Sequence, residues 1–324
     1  MSGSYRAFLR HLHIGEPVSG AKIAADMGVS RVAVWKAMES LRKRGVKIAA
    51  GRDGYLLEEP ADLLFPDDLE RLFAGARIGH RVLYREQADS TQDMARKAAE
   101  GGCEDGTLVV AETQTSGRGR LGRRWDSDRG GLWFTVVIRP RGPPSVVQVY
   151  SYMASLSVRE AVAELVPERP WLKWPNDVFI GGRKLSGVLT EVAASTDEVR
   201  YVLVGVGLNV NNPVGSVGEA YSATSVKEAA GRFVDRNDLL ASVLSRMNTR
   251  YEQCERDGPA AVIGAYRRSC STIGKKVRVA YGDGSMEGLA VGIDETGALE
   301  VRSGGRLTKV HSGDVTHLRV SAGG

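Results

Sequence analysis

Apolar residues recur at helical spacing through the first sixty positions, then give way to a mixture of short runs and one long stripe. Phe8, Leu9 and Leu12 line a short helix predicted over Ser4 to His13, and Gly15-Glu16-Pro17 breaks it. Ile23, Ala24 and Met27 mark a second helix, with Ser19 placed to cap it by accepting a bond from an orphan backbone N–H. Gly28-Val29-Ser30 turns the chain, and Ser30 caps a third helix over Arg31 to Arg44, packed through Val34, Met38 and Leu41. Val46 to Ala50, the turn Gly51-Arg52-Asp53-Gly54 and Tyr55-Leu56-Leu57 then predict a two-stranded hairpin. Helix, helix, turn, helix and hairpin is the winged helix-turn-helix order. Charged, proline-interrupted Glu58-Glu59-Pro60-Ala61-Asp62 puts a boundary near residue 63.

From residue 64 to about 271 the pattern changes. A helix starts at Phe65-Pro66-Asp67-Asp68, a strand runs over Arg81 to Arg85, and Ser90 caps a helix carrying Met94, Ala95 and Ala98. Leu108 to Glu112 and Leu132 to Ile138 read as buried strands, and Val149, Met153, Leu156, Val158, Val162 and Leu165 as the broad apolar face of a helix over Val146 to Leu165. Three more strands follow, the first two joined by a Gly181-Gly182 turn. The fold class is therefore α+β multidomain with a largely antiparallel central sheet, unlike an alternating strand-helix series. After residue 271, Lys276 to Tyr281, Met286 to Asp294, Ala298 to Arg302 and Arg306 to His311 form short strands between glycine turns. The expected domains are 1–63, 64–271 and 272–324.

Charge sharpens the picture at the front. Of a net +5, residues 1–63 carry ten Lys/Arg against seven Asp/Glu. Arg31, Lys36, Arg42, Lys43 and Arg44 share the third helix with the lone acid Glu39, which suits the DNA major groove. Arg31 and Lys36 are the candidate readers, with Ser30 and Arg52 on the phosphate backbone. A solvated basic helix in a packing or protein-interaction module is the competing reading. Composition adds only exclusions: 42% hydrophobic and 26% charged residues over 324 fit a globular chain. No apolar run is long enough to span a membrane, and Met1-Ser2-Gly3-Ser4-Tyr5-Arg6 is no signal stretch. Cys103, Cys254 and Cys270 are odd in number and widely spaced, which supports neither disulfides nor a zinc site and points to the cytoplasm.

Three segments carry candidate chemistry. Gln114-Thr115-Ser116-Gly117-Arg118-Gly119-Arg120-Leu121-Gly122-Arg123-Arg124-Trp125 joins two strands with three glycines and four arginines, a loop suited to a carboxylate or phosphate. It lacks the Gly-Lys-Ser/Thr ending of a P-loop, and a solvated loop or a nucleic-acid contact are its other readings. Lys173-Trp174-Pro175-Asn176-Asp177 is followed by Arg183-Lys184-Leu185-Ser186-Gly187, and the intervening hairpin brings Lys184 back beside the Asn176-Asp177 corner. Gly205-Val206-Gly207-Leu208-Asn209-Val210-Asn211 lacks the third glycine and following helix of a dinucleotide fingerprint.

GRGRLGRRW, KWPNDVFIGGRKLSGVLTE and VGVGLNVN, in this order, resemble the biotin–protein ligases, and with the front module the chain is similar to the bifunctional biotin ligases and biotin-operon repressors. The resemblance implies a central domain related to class II aminoacyl-tRNA synthetases and a C-terminal SH3-like β-barrel. It implies biotin, ATP and Mg2+, formation of biotinyl-5′-AMP, and transfer to a lysine of a biotin carboxyl carrier protein. Ser90, Thr91, Gln92 and Gln114 correspond to biotin contacts, Gln92 standing where asparagine is commoner. Arg118, Gly119 and Arg120 correspond to a loop closing over biotin and the adenylate, Lys184 and Gly187 to the surroundings of the reacting groups, and Asp177 to a residue orienting the metal or the lysine. Trp125 and Asn209 correspond to nucleotide contacts, as does Arg319 from the last domain. Lys184, Arg118, Arg120 and Asp177 are thus the implied catalytic set, with no resident metal site. Operator DNA and a homodimer favoured by the adenylate are the further implied partners. A lipoate-type ligase, a ligand-sensing repressor without catalysis and an RNA-binding protein are the rival functions.

Overall fold

The computed structural model describes residues 5–140, 147–195, 198–217, 221–281 and 284–318. At the front lie α1 (Tyr5–Leu9), α2 (Gly20–Met27), α3 (Arg31–Lys43), β1 (Ile48–Gly51) and β2 (Gly54–Leu57). Ser19 Oγ accepts from Lys22 N at 3.2 Å and Ser30 Oγ from Ala33 N at 3.1 Å, caps worth about 1 kcal/mol each. Phe8, Leu12, Ile23, Val34, Met38, Leu41 and Leu57 close a core of their own. The first helix is shorter than its apolar pattern suggests, although Leu12 still reaches that core.

The central part comprises α4 (Pro66–Leu72), β3 (Val82–Ala88), α5 (Thr91–Glu100), β4 (Leu108–Gln114), β5 (Leu132–Ile138), α6 (Gln148–Ala163), β6 (Trp171–Lys173), β7 (Asp177–Ile180), β8 (Arg183–Ala194), β9 (Val199–Leu208), the two-residue strands β10 (Ser216–Val217) and β11 (Tyr221–Ser222), α7 (Val226–Ala230), α8 (Arg236–Asp257) and α9 (Ala260–Ser269). Seven strands form one sheet in the order β3-β4-β5-β9-β8-β7-β6. Every pair is antiparallel except β3 and β4, which run parallel across α5. Gly181 (φ +56°) and Gly182 (φ +74°) make the tight turn between β7 and β8, both in the region that favours glycine.

The two faces of the sheet are covered unequally. Val202, Val204, Val206 and Leu208 pack with α6, α8 and α9. Thirteen residues of α6 are buried, which explains its weak amphipathicity: it is wrapped on nearly every side. On the opposite face Ala95 and Ala99 of α5 cluster with Val109, Val137, Tyr201 and Leu203, with Leu83 and Ala193 packed at the margin. The remainder of that face is the floor of a cavity.

C-terminal strands β12 (Lys276–Tyr281), β13 (Gly284–Ile293), β14 (Leu299–Ser303), β15 (Arg306–Val310) and β16 (Asp314–His317) form an antiparallel sheet in the order β15-β14-β13-β12-β16. Four strands are legible in the sequence; β16 is added by its pairing with β12, which buries Val315. Tyr152 stacks on Tyr266 at 3.7 Å and donates to Gly297 O at 2.5 Å, tying this sheet to α6 and α9.

The front module is fastened at the first turn of α8. Arg236, fully buried, meets Glu112 at 2.7 Å and pairs with Asp62. Burial works against the charge on Arg236, but Glu112 and Asp62 outweigh it and hold the guanidinium above its usual pKa. Asn237 takes Phe65 N and donates to Leu63 O, both at 2.8 Å, while Arg6 of α1 reaches Asp235 and Asp238 at 2.8 and 2.6 Å.

Candidate active site and nucleic-acid interface

The cavity, of about 580 Å³, is lined by the start of α5, the first half of β8, the end of β9, the β4–β5 loop, the β6–β7 corner and the front of β16. Each wall follows from its sequence. Ser90 Oγ caps α5 through Gln92 N at 3.2 Å and so turns Thr91 and Gln92 inward, where both are buried. Gln114 Oε1 accepts from Thr91 N at 2.7 Å and Thr91 Oγ1 at 3.1 Å, and its Nε2 donates to Ser127 Oγ at 2.7 Å, binding helix start to loop base. Gln92 Nε2 donates to Leu189 O at 3.2 Å, whereas its Oε1 is buried without a protein partner.

The arginine-rich loop is a closed narrow ring. Trp125 N donates to Gly117 O at 2.9 Å and Gly119 N to Arg123 O at 2.7 Å, while Leu121 (φ +56°) and Gly122 (φ +71°) turn it. Trp125 lies over the sheet because Gly187 and Gly207 carry no side chain: a Cβ on Gly207 would sit 2.6 Å from the indole. A Cβ on Gly205 would meet Gln92 at 3.0 Å. The glycines of the GVGLN run therefore clear room for two side chains that line the cavity, which accounts for a dinucleotide-like spacing outside a dinucleotide fold.

Cations converge on this hollow. Lys184 Nζ lies 2.8 Å from Asp177 Oδ1 and 5.3 Å from the Trp125 ring. Arg118 grips Asp93 of α5 through both terminal nitrogens, at 2.8 and 2.6 Å. That contact holds the Asp93 carboxyl below its usual range and raises the guanidinium in turn. Arg120 donates to Asn176 Oδ1 at 3.3 Å and Gly313 O at 3.1 Å, and burial pulls its pKa down. Arg123 pairs with Asp314, Arg124 with Asp126 at 3.1 Å, and Lys173 lies 5.7 Å above the Phe179 ring. Among the described residues, six cations line the cavity, and carboxylates sit against Arg118, Arg120, Arg123, Arg124 and Lys184.

Ser90, Thr91, Gln92, Gln114, Arg118, Gly119, Arg120, Trp125, Asp177, Lys184 and Gly187 thus surround one space. Asn209 lines an adjoining cavity of about 240 Å³ that shares Arg124 and Trp125, with its own amide engaged by Thr224 O and Asn212. Arg319 lies outside the described residues. Asp93 and Asp314 stand outside the three candidate segments and carry no local signal, whereas Lys173 lies within the KWPND run.

On the front module Ser30, Arg31, Lys36 and Arg52 are exposed, Ser30 with its oxygen engaged as the cap. The basic face of α3 is narrower than its composition implies. Arg42 turns inward to Glu39 at 2.6 Å and Ile48 O at 2.9 Å, and Arg44 donates to Leu64 O at 2.9 Å over the Phe65 ring.

Residues 84–209 match the biotin/lipoate A/B protein ligase family, 272–318 the biotin protein ligase C-terminal domain, and 6–56 an HTH domain. The bifunctional ligase/repressor BirA of Bacillus subtilis is 34% identical over 304 residues, 93% of this chain and 94% of its own length. The chain belongs to the biotin protein ligase family. Another biotin protein ligase relative, the biotin–[acetyl-CoA-carboxylase] ligase of Mycobacterium tuberculosis, is 36% identical over 76% of this chain and 92% of its own. Among solved structures, the biotin protein ligase of Aquifex aeolicus in complex with biotin and ATP superposes with a TM-score of 0.64 at 32% identity, covering 74% of this chain and 99% of that one.

Proposed function

We propose that the protein joins biotin to AMP at the expense of ATP, passes the biotinyl group to a carrier lysine, and represses transcription through its front module. The observation that carries the enzymatic reading is the convergence of Arg118, Arg120, Lys184 and Asp177 on one cavity whose floor is cleared by glycine. A carboxylate approaching a polyanion needs fixed cations, and a pair at 4 Å is worth about 1 kcal/mol in water but about 4 kcal/mol at an effective dielectric of 20. The Trp125 indole beside Lys184 favours the second condition.

In the first step a biotin carboxylate oxygen bonds to the α-phosphorus and the bond to pyrophosphate breaks. In the second a carrier amine attacks the acyl carbon, AMP leaves, and the ammonium proton is lost. Gln92 Oε1 suits a ureido N–H of biotin, and Trp125 with Asn209 suits the nucleotide. Magnesium enters with ATP as substrate; Asp177 and Asp314 line the cavity, in keeping with the one or two carboxylates such an ion takes when phosphates supply other ligands. We divide the chain at residues 63 and 271 and read the last sheet as an SH3-like barrel. Ordering of the arginine loop over the adenylate favours a homodimer, which sets two winged modules on a palindromic operator.

Incubation with biotin, MgATP and a biotin-carboxyl-carrier domain is expected to add one biotinyl mass to the carrier; an unchanged mass overturns the reading. Lipoate in place of biotin tests the related ligase, which has less support because relatives matching 76% and 67% of the chain, and a solved structure matching 74% of it, are named for biotin. Operator affinity is expected to rise only when biotin and ATP are both present, and ligand-independent affinity argues against coupling. Gly207→Ala, which drives the indole from its seat, is expected to raise the KM for ATP about tenfold while changing that for biotin less, as steady-state kinetics would read.

A further inference from the structure

Helix α3 presents four exposed side chains over its first turn and a half: Arg31, Val32, Trp35 and Lys36. Val32 is 61% and Trp35 54% exposed. Three residues apart, they share one face of the helix. Neither serves the module's core, which Val34, Ala37, Met38 and Leu41 supply from the other side. Single exposed apolar residues need no explanation. Among the described residues, however, these are the only large exposed apolar pair on one helix face, and cations flank them at both ends.

The surroundings select the occupant. Glu39, the acid nearest along this helix, is held by Arg42. Arg31, Lys36, Lys43 and, from the hairpin turn, Arg52 are exposed cations. A polyanion with apolar patches in a groove wide enough for a helix matches both properties, and the major groove of duplex DNA has them: phosphates along its rims and the thymine C5 methyl on its floor. Cytosine presents no methyl at that position, so apolar contact discriminates without hydrogen bonding.

We propose that Val32 and Trp35 read thymine methyl groups in the operator half-site, between bases and phosphates held by Arg31 and Lys36. The proposal rests on the DNA-binding reading and extends it to a named sequence preference. The Ser30 cap and the buried face of α3 fix the rotation of the helix, so the two side chains meet fixed positions in the groove.

The test uses the full chain with biotin and MgATP. Duplexes recovered from a randomised pool are titrated beside copies carrying uracil for thymine, which keeps every hydrogen-bonding group and lacks only the methyl. Thymine at fixed positions is expected, with affinity falling about fourfold per methyl removed there, the equivalent of one buried methylene. Val32→Ala and Trp35→Ala leave the core untouched and are expected to bind the two duplexes more nearly alike, while keeping the salt dependence that phosphate contacts set. Equal binding of both duplexes by the unaltered protein overturns the readout, as does discrimination that survives in both variants, including where those variants lose self-association instead. Absence of salt-sensitive binding to any duplex overturns the DNA-binding reading itself, and the readout with it.

Discussion

Lys184→Ala is expected to lower biotin-dependent pyrophosphate release by two to three orders of magnitude, the usual cost of removing one charge-stabilising donor from a preorganised site. The side chain is 17% exposed, lies against Asp177 and Trp125, and shares its cavity with Arg118 and Arg120. Arg118 and Arg120 remain in the variant but approach from the opposite loop, so they cannot replace a cation anchored in β8. Stability should change by no more than about 1 kcal/mol, since the ion pair is partly open to solvent. A melting temperature near that of the unaltered protein, together with the lost pyrophosphate signal, is the expected pair of results. A near-normal rate would remove Lys184 from the mechanism. Lys184→Arg keeps the charge but broadens it into a planar fork, so partial recovery is expected.

Arg236→Ala should be the most damaging change to the fold outside the large core side chains. It leaves Glu112, itself fully buried, with an unpaired charge, and such losses cost about 3–5 kcal/mol. It also releases Asp62, next to the backbone that Asn237 holds at Leu63 and Phe65. A urea midpoint lowered accordingly, with faster proteolysis near residues 58–65, is expected. Combining Arg236→Leu with Glu112→Leu should recover much of the loss, because an apolar pair leaves no stranded charge. A single-variant loss below about 1 kcal/mol would contradict the account.

Much of this arrangement is legible in the chain where its causes are local. Ser19, Ser30 and Ser90 precede apolar stripes and act as caps, and Gly181-Gly182 dictates a turn that delivers Lys184 to Asp177. What was hidden depends on partners distant in sequence. Nothing beside Arg42 or Arg44 announces that carbonyls of Ile48 and Leu64 draw them away from solvent. Glu112 lies 124 positions before Arg236, and Arg118 finds Asp93 on a helix 25 positions earlier. Strand β16 is four residues with one buried valine, too short for alternation to register, yet it brings Asp314 to the cavity. The parallel pairing of β3 and β4 was also hidden, because a buried strand does not reveal its direction.

The carboxylates seated against the cavity's arginines and Lys184 bear on selectivity among anions. A lone inorganic phosphate or chloride would have to unseat Asp93, Asp177 or Asp314 for the reward of one small contact. A molecule presenting several negative oxygens on a rigid frame can recruit several guanidinium groups together. Occupancy would then follow the supply of vitamin and nucleotide, and stay insensitive to shifts in the surrounding inorganic salt.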